Sequence, residues 1–357
     1  MNFRFLLCSI LEIFISSFAY SQAGSLDSTF GNNGIVVSDF GDDASAYAIA
    51  IQPDDKIVIA GIIKTNLEQD FLVARYHSNG SIDMAFGNDG IVIQDMGGGY
   101  LGEQVAKVAI QADGKLVVSG GIKQFDGSFS YFWHIAILRL NTDGSLDNSF
   151  GDSGIIRTFI NGEYHDAYVK ASVIQPDQKI LAAGYYANAY NVGGSDCFLI
   201  RYLQDGSIDS TFADNGVALI TIDSFDNDQA TSILIQPDGK IIIAATSGTY
   251  TDKVIALARV FKDGFIDTTF GSNGTVKALL PDSFYYESNY YDSKPVVLLP
   301  SGKIITGGTC YNGVITKIVL AQFNQDGSID SSFGINGMTF SDPEDSSQFS
   351  SSILLQA

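Results

Sequence analysis

Acidic and basic side chains recur in this sequence at fixed spacing. Arg75, Arg139, Arg201 and Arg259 each stand eight residues before an Asp, namely Asp83, Asp147, Asp209 and Asp267; before Asp330 the same place holds Gln322. Asp27 heads the series. Such an Arg–Asp couple braces the turn between its partners. Its repetition argues for structure rather than catalysis, because an active site is normally made once. The Asp-Gly-Ser-x-Asp turns, as at Asp143 and Asp147, raise calcium, a hard cation that takes oxygen ligands. The stronger reading is that Asp bonds its own backbone in a tight turn. A regular ligand ladder closed by a bidentate Glu is also missing, so no cofactor is expected and calcium is the weaker alternative. His77, His134 and His165 lie in different units, with no Cys or Asp at zinc-site spacing. No Gly-x-Ser-x-Gly elbow, P-loop or dinucleotide fingerprint occurs, so no catalytic residue is named from motifs.

The elements that carry these residues follow from self-similarity. The segment from Gly24 to Gly34 returns five times. Its Phe recurs as Phe30, Phe86, Phe150, Phe212, Phe270 and Phe333, at intervals of 56, 64, 62, 58 and 63 residues. A second signature lies between, as in Gln236-Pro237-Asp238-Gly239-Lys240, with copies at Gln52, Gln111 and Gln175 and a degenerate one at Leu299. Pro presets φ and Gly accepts positive φ, so Pro-Asp-Gly between apolar runs is a turn. The flanking runs are β-branched and too short for helices. In the fourth copy strands are expected near 229–236, 240–247, 253–261 and 275–280. Four antiparallel strands per repeat of about sixty residues specify propeller blades. The fold is therefore expected to be all-β, a β-propeller with five complete four-stranded blades and a partial sixth over residues 24–357.

The paired motifs Asp-Gly-Ser-Leu/Ile-Asp-x-x-Phe-Gly-x-x-Gly and Gln-Pro-Asp-Gly-Lys resemble the delta-60 repeat, across nearly all of residues 24–357. The resemblance implies a β-propeller and a secreted bacterial protein, often with a C-terminal sorting domain, none of which is visible here. It implies no established activity.

Loop lengths separate the two faces of such a disk. Four residues run from Gln to Lys in the 1–2 turn, and eleven from the third-strand Arg (or Gln322) to the following Phe, in every copy. All length variation falls in the 2–3 and 4–1 loops, where a specificity would be written. Aromatic residues gather there. The 2–3 loop of the second blade offers Phe125, Phe129 and Tyr131, leading into Trp133; that of the third offers Tyr185, Tyr186 and Tyr190. The 4–1 loop before the fifth blade offers Phe284, Tyr285, Tyr286, Tyr290 and Tyr291. Such rings suit glycan or protein recognition, and equally suit filling gaps between blades. Alternation favours packing for Tyr131 and Trp133. The repeated Phe residues are expected to be buried between blades.

Residues 1–23 read as a signal peptide, with an apolar run from Phe5 to Phe18 and small residues at Ala19 and Ala23, although Glu12 interrupts the run. Secretion to the medium or cell surface follows. No later stretch approaches the ~20 apolar residues of a membrane span. The net charge of −20 repels nucleic acid and keeps an exported monomer soluble. Cys197 and Cys310 would lie in nonadjacent blades, too far apart for a disulfide, and are expected to be free. Residues 35–40 read as a fourth strand without its first three, and residues 350–356 as a first strand without successors, so a continuation beyond Ala357 is expected. Function is expected to be noncatalytic binding, adhesion or scaffolding through the variable loops. The alternative is a propeller glycoside hydrolase or lyase, whose carboxylates would sit on the variable face or at the channel mouth.

Overall fold

The computed structural model describes residues 25–341 and residue 353, apart from residues 42, 66–67, 99–101, 126–129, 161–164, 189–193, 225–226, 250–253, 281–284, 287–294 and 312–315. Residues 1–24, where the signal peptide is expected, lie outside this range, as does the expected strand at 350–356 except for Ile353.

Alternating β-branched runs between Gly-rich turns give strands throughout. Blade 1 is β1 (Asp43–Ile51), β2 (Ile57–Thr65), β3 (Glu68–Tyr76) and β4 (Ile91–Gln94). Blade 2 is β5 (Glu103–Ile110), β6 (Leu116–Phe125), β7 (Tyr131–Leu140) and β8 (Ile155–Thr158). Blade 3 is β9 (His165–Ile174), β10 (Ile180–Asn188), β11 (Ser195–Tyr202) and β12 (Val217–Ile220). Blade 4 is β13 (Gln229–Ile235), β14 (Ile241–Ser247), β15 (Val254–Val260) and β16 (Thr275–Ala278), close to the strands expected from sequence. In blade 5 the first strand is split into β17 (Tyr285–Tyr286) and β18 (Val296–Leu298), both paired with β19 (Ile304–Tyr311), which β20 (Thr316–Phe323) and β21 (Met338–Phe340) follow. All neighbours are antiparallel and in chain order. The first strands touch in series, β1 to β5 to β9 to β13 to β18, and so form the inner wall.

In blades 1 to 4 the first strand bulges, inserting Tyr47, Ala106, Lys170 or Thr231. The bulge presses a carbonyl onto the second strand. A Cβ at Gly184 would stand only 1.8 Å from the Tyr168 oxygen, which is why β10 carries glycine there.

Both repeated signatures converge on one lock. Arg Nε reaches Asp Oδ2 at 2.8 Å (Arg75–Asp83), 2.7 Å (Arg139–Asp147), 2.8 Å (Arg201–Asp209) and 2.8 Å (Arg259–Asp267). The Lys of the 1–2 turn reaches the same oxygen, at 2.9 Å for Lys115, 3.1 Å for Lys179 and 3.0 Å for Lys240. Burial opposes ionisation, yet Lys115, Ser149 and Arg139 together hold the Asp147 carboxyl far below its ordinary range. The lock also joins blades. Arg Nη1 donates to the next blade's carbonyl at Thr142, Gln204, Lys262 or Gln325. Each of the four Arg guanidiniums lies over the repeated Phe of its own repeat, 4.2 to 4.5 Å from the ring centroid. Phe86, Phe150, Phe212 and Phe270 are fully buried against Gly144, Gly206, Gly264 and Gly327 of the following blade. Phe30 and Phe333, in the first and last copies, are half-buried. Gln322 takes the place of Arg and bonds Asp330, and Lys303 completes that copy at 2.6 Å.

Three expectations are corrected. Residues 35–40 form no ladder strand, because no third strand pairs with them among the described residues; Val37 is 89% exposed. Tyr285 and Tyr286 belong not to a 4–1 loop but to β17, whose backbone pairs with Tyr311 and Cys310. Phe125, Tyr185 and Tyr186 likewise lie in strands, since the hairpins of β6 with β7 and β10 with β11 continue through them. Cys197 and Cys310 are buried free thiols, as expected, on the third strand of blade 3 and the second of blade 5.

Candidate active site

Equivalent positions on the variable face hold different residues at each blade junction. Five residues before the third-strand Arg stand Asp70, His134 and Asp196 in blades 1, 2 and 3. Five residues after the closing glycine, past strand 4, stand Asp95, Phe159 and Thr221. Eight residues before the Gln of the next 1–2 turn stand Glu103, Ala167 and Asp228. Only the junction of blades 1 and 2 places a carboxylate at all three.

There the oxygens of Asp70, Asp95 and Glu103 lie within 4.8 Å of one another, the one such acidic cluster among the described residues. Glu103, 2% exposed, opens β5. Its Oε1 accepts the backbone N–H groups of Met96 at 2.7 Å and Gly98 at 3.2 Å, and its Oε2 that of Phe71 at 3.1 Å. Burial pushes the Glu103 carboxyl up to about 8, against those donors and with Asp95 and Asp70 adding to the rise. It therefore holds a proton at neutral pH. Oε1 already accepts two donors while Oε2 accepts one, which leaves Oε2 the less occupied oxygen. Thr65 Oγ1 fixes the nearly buried Asp70 at 3.0 Å. Asp95 is exposed, with Oδ1 anchored by Gly97 N at 2.6 Å. A buried carboxyl group, one fixed by Thr65 and one facing solvent thus share one spot.

The other junctions use the positions differently. At blades 2 and 3, His134 packs against Phe159 in a tilted arrangement with ring centroids 4.2 Å apart, and burial pushes its imidazole down to about 4, leaving it neutral. At blades 3 and 4, Asp228 accepts Ile222 N and Asp223 N at 2.5 and 2.9 Å and closes its loop as Glu103 does. Its companion Asp196 is engaged by Thr221 at 2.6 Å and Tyr186 at 3.3 Å.

An aromatic run leads away from the trio. A methyl group on Gly102, next to Glu103, would meet the Trp133 ring edge at 4.0 Å. Trp133 lies 5.8 Å from Tyr168, which stacks on Tyr185 at 4.9 Å. All three rings are partly exposed. The expectation that Trp133 merely packs is thereby narrowed, and Tyr185 joins this run. Phe125 and Tyr131 pair at 4.9 Å on the exposed end of their hairpin. Phe129, Tyr190, Tyr290 and Tyr291 lie outside the described residues, and of Tyr285 and Tyr286 only the backbone is described. On the constant face, a groove lined by Gln111, Lys115, Arg139 and Gln204 has its cations already bonded to Asp147. The calcium candidates are likewise engaged by protein donors: Asp143 by Ser145, and Asp147 by Ser149, Lys115 and Arg139.

Sequence reading did not single out Asp70, Asp95 or Glu103. The available signal was divergence between aligned copies, since these positions break the repeat while the lock preserves it.

Five segments, residues 52–86, 111–150, 175–212, 236–270 and 299–333, match the family described as "Domain of unknown function (DUF5122) beta-propeller". They span about half of the chain. The chain belongs to this family. The match supports a β-propeller repeat family without carrying the delta-60 name. The search of curated proteins gave no match. Among solved structures, the chain is similar to an alpha-L-arabinofuranosidase from Lactobacillus brevis, at 12% identity and TM-score 0.43, over 82% of this chain and 94% of that one. A thermostable family-43 glycoside hydrolase matches at 11% and 0.40, over 86% and 96%. A polysaccharide lyase, an ulvan lyase, matches at 12% and 0.45, over 84% and 71%. Likenesses this distant assign no activity to the chain. The expectation of a noncatalytic module, which rested on missing motifs, finds no support in these comparisons, since the solved structures named are glycoside hydrolases and a lyase. Among the described residues no helix is long and apolar enough to cross a membrane.

Proposed function

We propose that this family member cleaves glycans, as a glycoside hydrolase or polysaccharide lyase, with its reaction centre at the junction of blades 1 and 2. The observation that carries this reading is the unrepeated trio Asp70, Asp95 and Glu103, in which one carboxyl holds a proton near neutrality beside two others within 4.8 Å. Two carboxyl groups held apart in protonation state are what glycosidic cleavage requires. Glu103 gives its proton to the departing glycosidic oxygen. Asp95, exposed, attacks the anomeric carbon or, for elimination, takes a proton from the sugar ring. Asp70, fixed by Thr65, keeps the local field negative and stabilises positive charge developing on the sugar. The close spacing suits a direct carboxylate attack, since inverting enzymes hold their carboxyl groups roughly 6.5–9.5 Å apart to admit a water. Trp133, Tyr168 and Tyr185 offer flat faces for sugar rings beside the trio. Export through residues 1–23 would deliver the enzyme to extracellular polysaccharide.

The test is a panel of neutral and acidic polysaccharides incubated with the purified chain. Reducing-end release measures any cleavage, and absorbance of an unsaturated product separates elimination from hydrolysis. Activity on one member, abolished by Glu103→Gln, supports the proposal. No cleavage of any substrate, or full activity in the variant, refutes it.

A further inference from the structure

Lys170 is the residue inserted by the bulge of β9, on the inner wall of blade 3. Its ammonium stands 5.9 Å from the centroid of Tyr168 and 5.8 Å from that of Tyr185, at the far end of the aromatic run. No carboxylate pairs with it among the described residues, in contrast to Lys56, Lys115, Lys179, Lys240 and Lys303. A cation set against aromatic faces gains from their quadrupoles but keeps its charge unneutralised. An anion arriving on the same rings would find a desolvated partner, where a charge-assisted hydrogen bond is strongest.

We propose that the glycan is a polyuronate, one sugar stacking on Trp133, Tyr168 and Tyr185 while Lys170 binds its carboxylate. This rests on the glycan-cleaving reading and adds the substrate class. Burial lowers the Lys170 pKa, with no opposing carboxylate, so the ammonium gains by acquiring an anion. The net charge of −20 repels a polyanion at long range. Physiological salt screens that repulsion beyond about 8 Å, while the contact at Lys170 is made at short range. Salt should therefore speed association rather than abolish it.

Trp133 is the only tryptophan of the chain, so its fluorescence reports this site alone. Titrations with tetragalacturonate and tetraglucuronate are compared with xylotetraose, for the wild type and for Lys170→Met and Lys170→Arg. At least one uronate should bind tenfold or more tightly than the neutral sugar. Lys170→Met, which keeps the apolar stem, should erase that margin, and Lys170→Arg should keep most of it. Should the Met variant fail to fold, the Arg variant and the uronate–neutral margin still decide. Equal affinity for neutral and acidic sugars, an unchanged margin in Lys170→Met, or no response to any of the three probes overturns the proposal. Failure of the two readings is distinguishable. Cleavage of a neutral polysaccharide without uronate preference sinks only the substrate class, whereas uronate binding with no cleavage anywhere sinks only the catalytic reading.

Discussion

The two faces of this disk treat repetition in opposite ways. On the constant face, Arg, Lys, Asp and Phe recur blade after blade in the same geometry, and Arg Nη1 carries each lock into the next blade. On the variable face, one structural position is Asp70, His134 or Asp196, and another is Glu103, Ala167 or Asp228. A residue needed by every blade serves the ring. A residue present at one junction only is free to serve a ligand. In repeat proteins each unit contacts only its neighbours, so a lock must be copied while a site need not be.

The largest effect expected on the constant face is from Phe212→Ala. It empties a fully buried site between blades 3 and 4 and should cost about 3–5 kcal/mol in denaturant unfolding. An unchanged midpoint would break the assignment of the Phe as the interblade wedge. Asp267→Ala should follow at about 3 kcal/mol, because Arg259, 7% exposed, then loses its counter-charge. Lys240 is freer to turn to water, which keeps the loss below that of a wholly buried pair. Neither substitution should alter which glycan is cleaved.

The lock was legible in the sequence because its members sit at constant spacing in every copy. The strands were legible for the same reason: turn residues punctuate β-branched runs at each repeat. The trio was not legible, because its members come from two blades and from positions whose copies disagree. Asp70 and Glu103 are 33 positions apart in the chain, and they meet across the junction of blades 1 and 2, where Phe71 N on β3 donates to Glu103 Oε2. The aromatic residues show a third case. Loop-length variation led Tyr185 and Tyr186 to be read as loop residues, whereas β10 runs through both. Their roles then diverge: Tyr185 stacks on Tyr168, while Tyr186 donates to Asp196.

A pH titration sharpens the comparison at intermediate cost. The Glu103 carboxyl is raised from the ordinary 4.5 to about 8, so between those values the folded state binds the extra proton. Stability should therefore fall as pH rises through that window, the reverse of a salt-bridged Asp. Glu103→Gln should flatten this dependence in thermal melts. His134 opposes this in the lower part of the window: held down to about 4, it leaves the unfolded state with more bound protons below about 6.5, so the two slopes offset each other there and the Glu103 fall stands alone above about 6.5. A melting profile with no fall above pH 6.5, or one left unchanged by Glu103→Gln, would contradict the burial assigned to Glu103. The smallest effect is expected from Arg259→Lys, which keeps a charge near Asp267 but gives up the bond to the Gln325 carbonyl. About 1 kcal/mol should be lost in chemical denaturation.

The separation of ring-holding from reacting residues is tested most directly by the cleavage rate of Asp95→Asn. Asp95 is exposed, and Asn keeps the Oδ1 that Gly97 N anchors, so the fold has little to lose. On a polysaccharide that the wild type degrades, the account predicts a rate lower by roughly 10²–10⁴, the range seen when a positioned catalytic group is removed, with the melting temperature nearly unchanged. An Asp95→Asn protein that cleaves at the wild-type rate would contradict it.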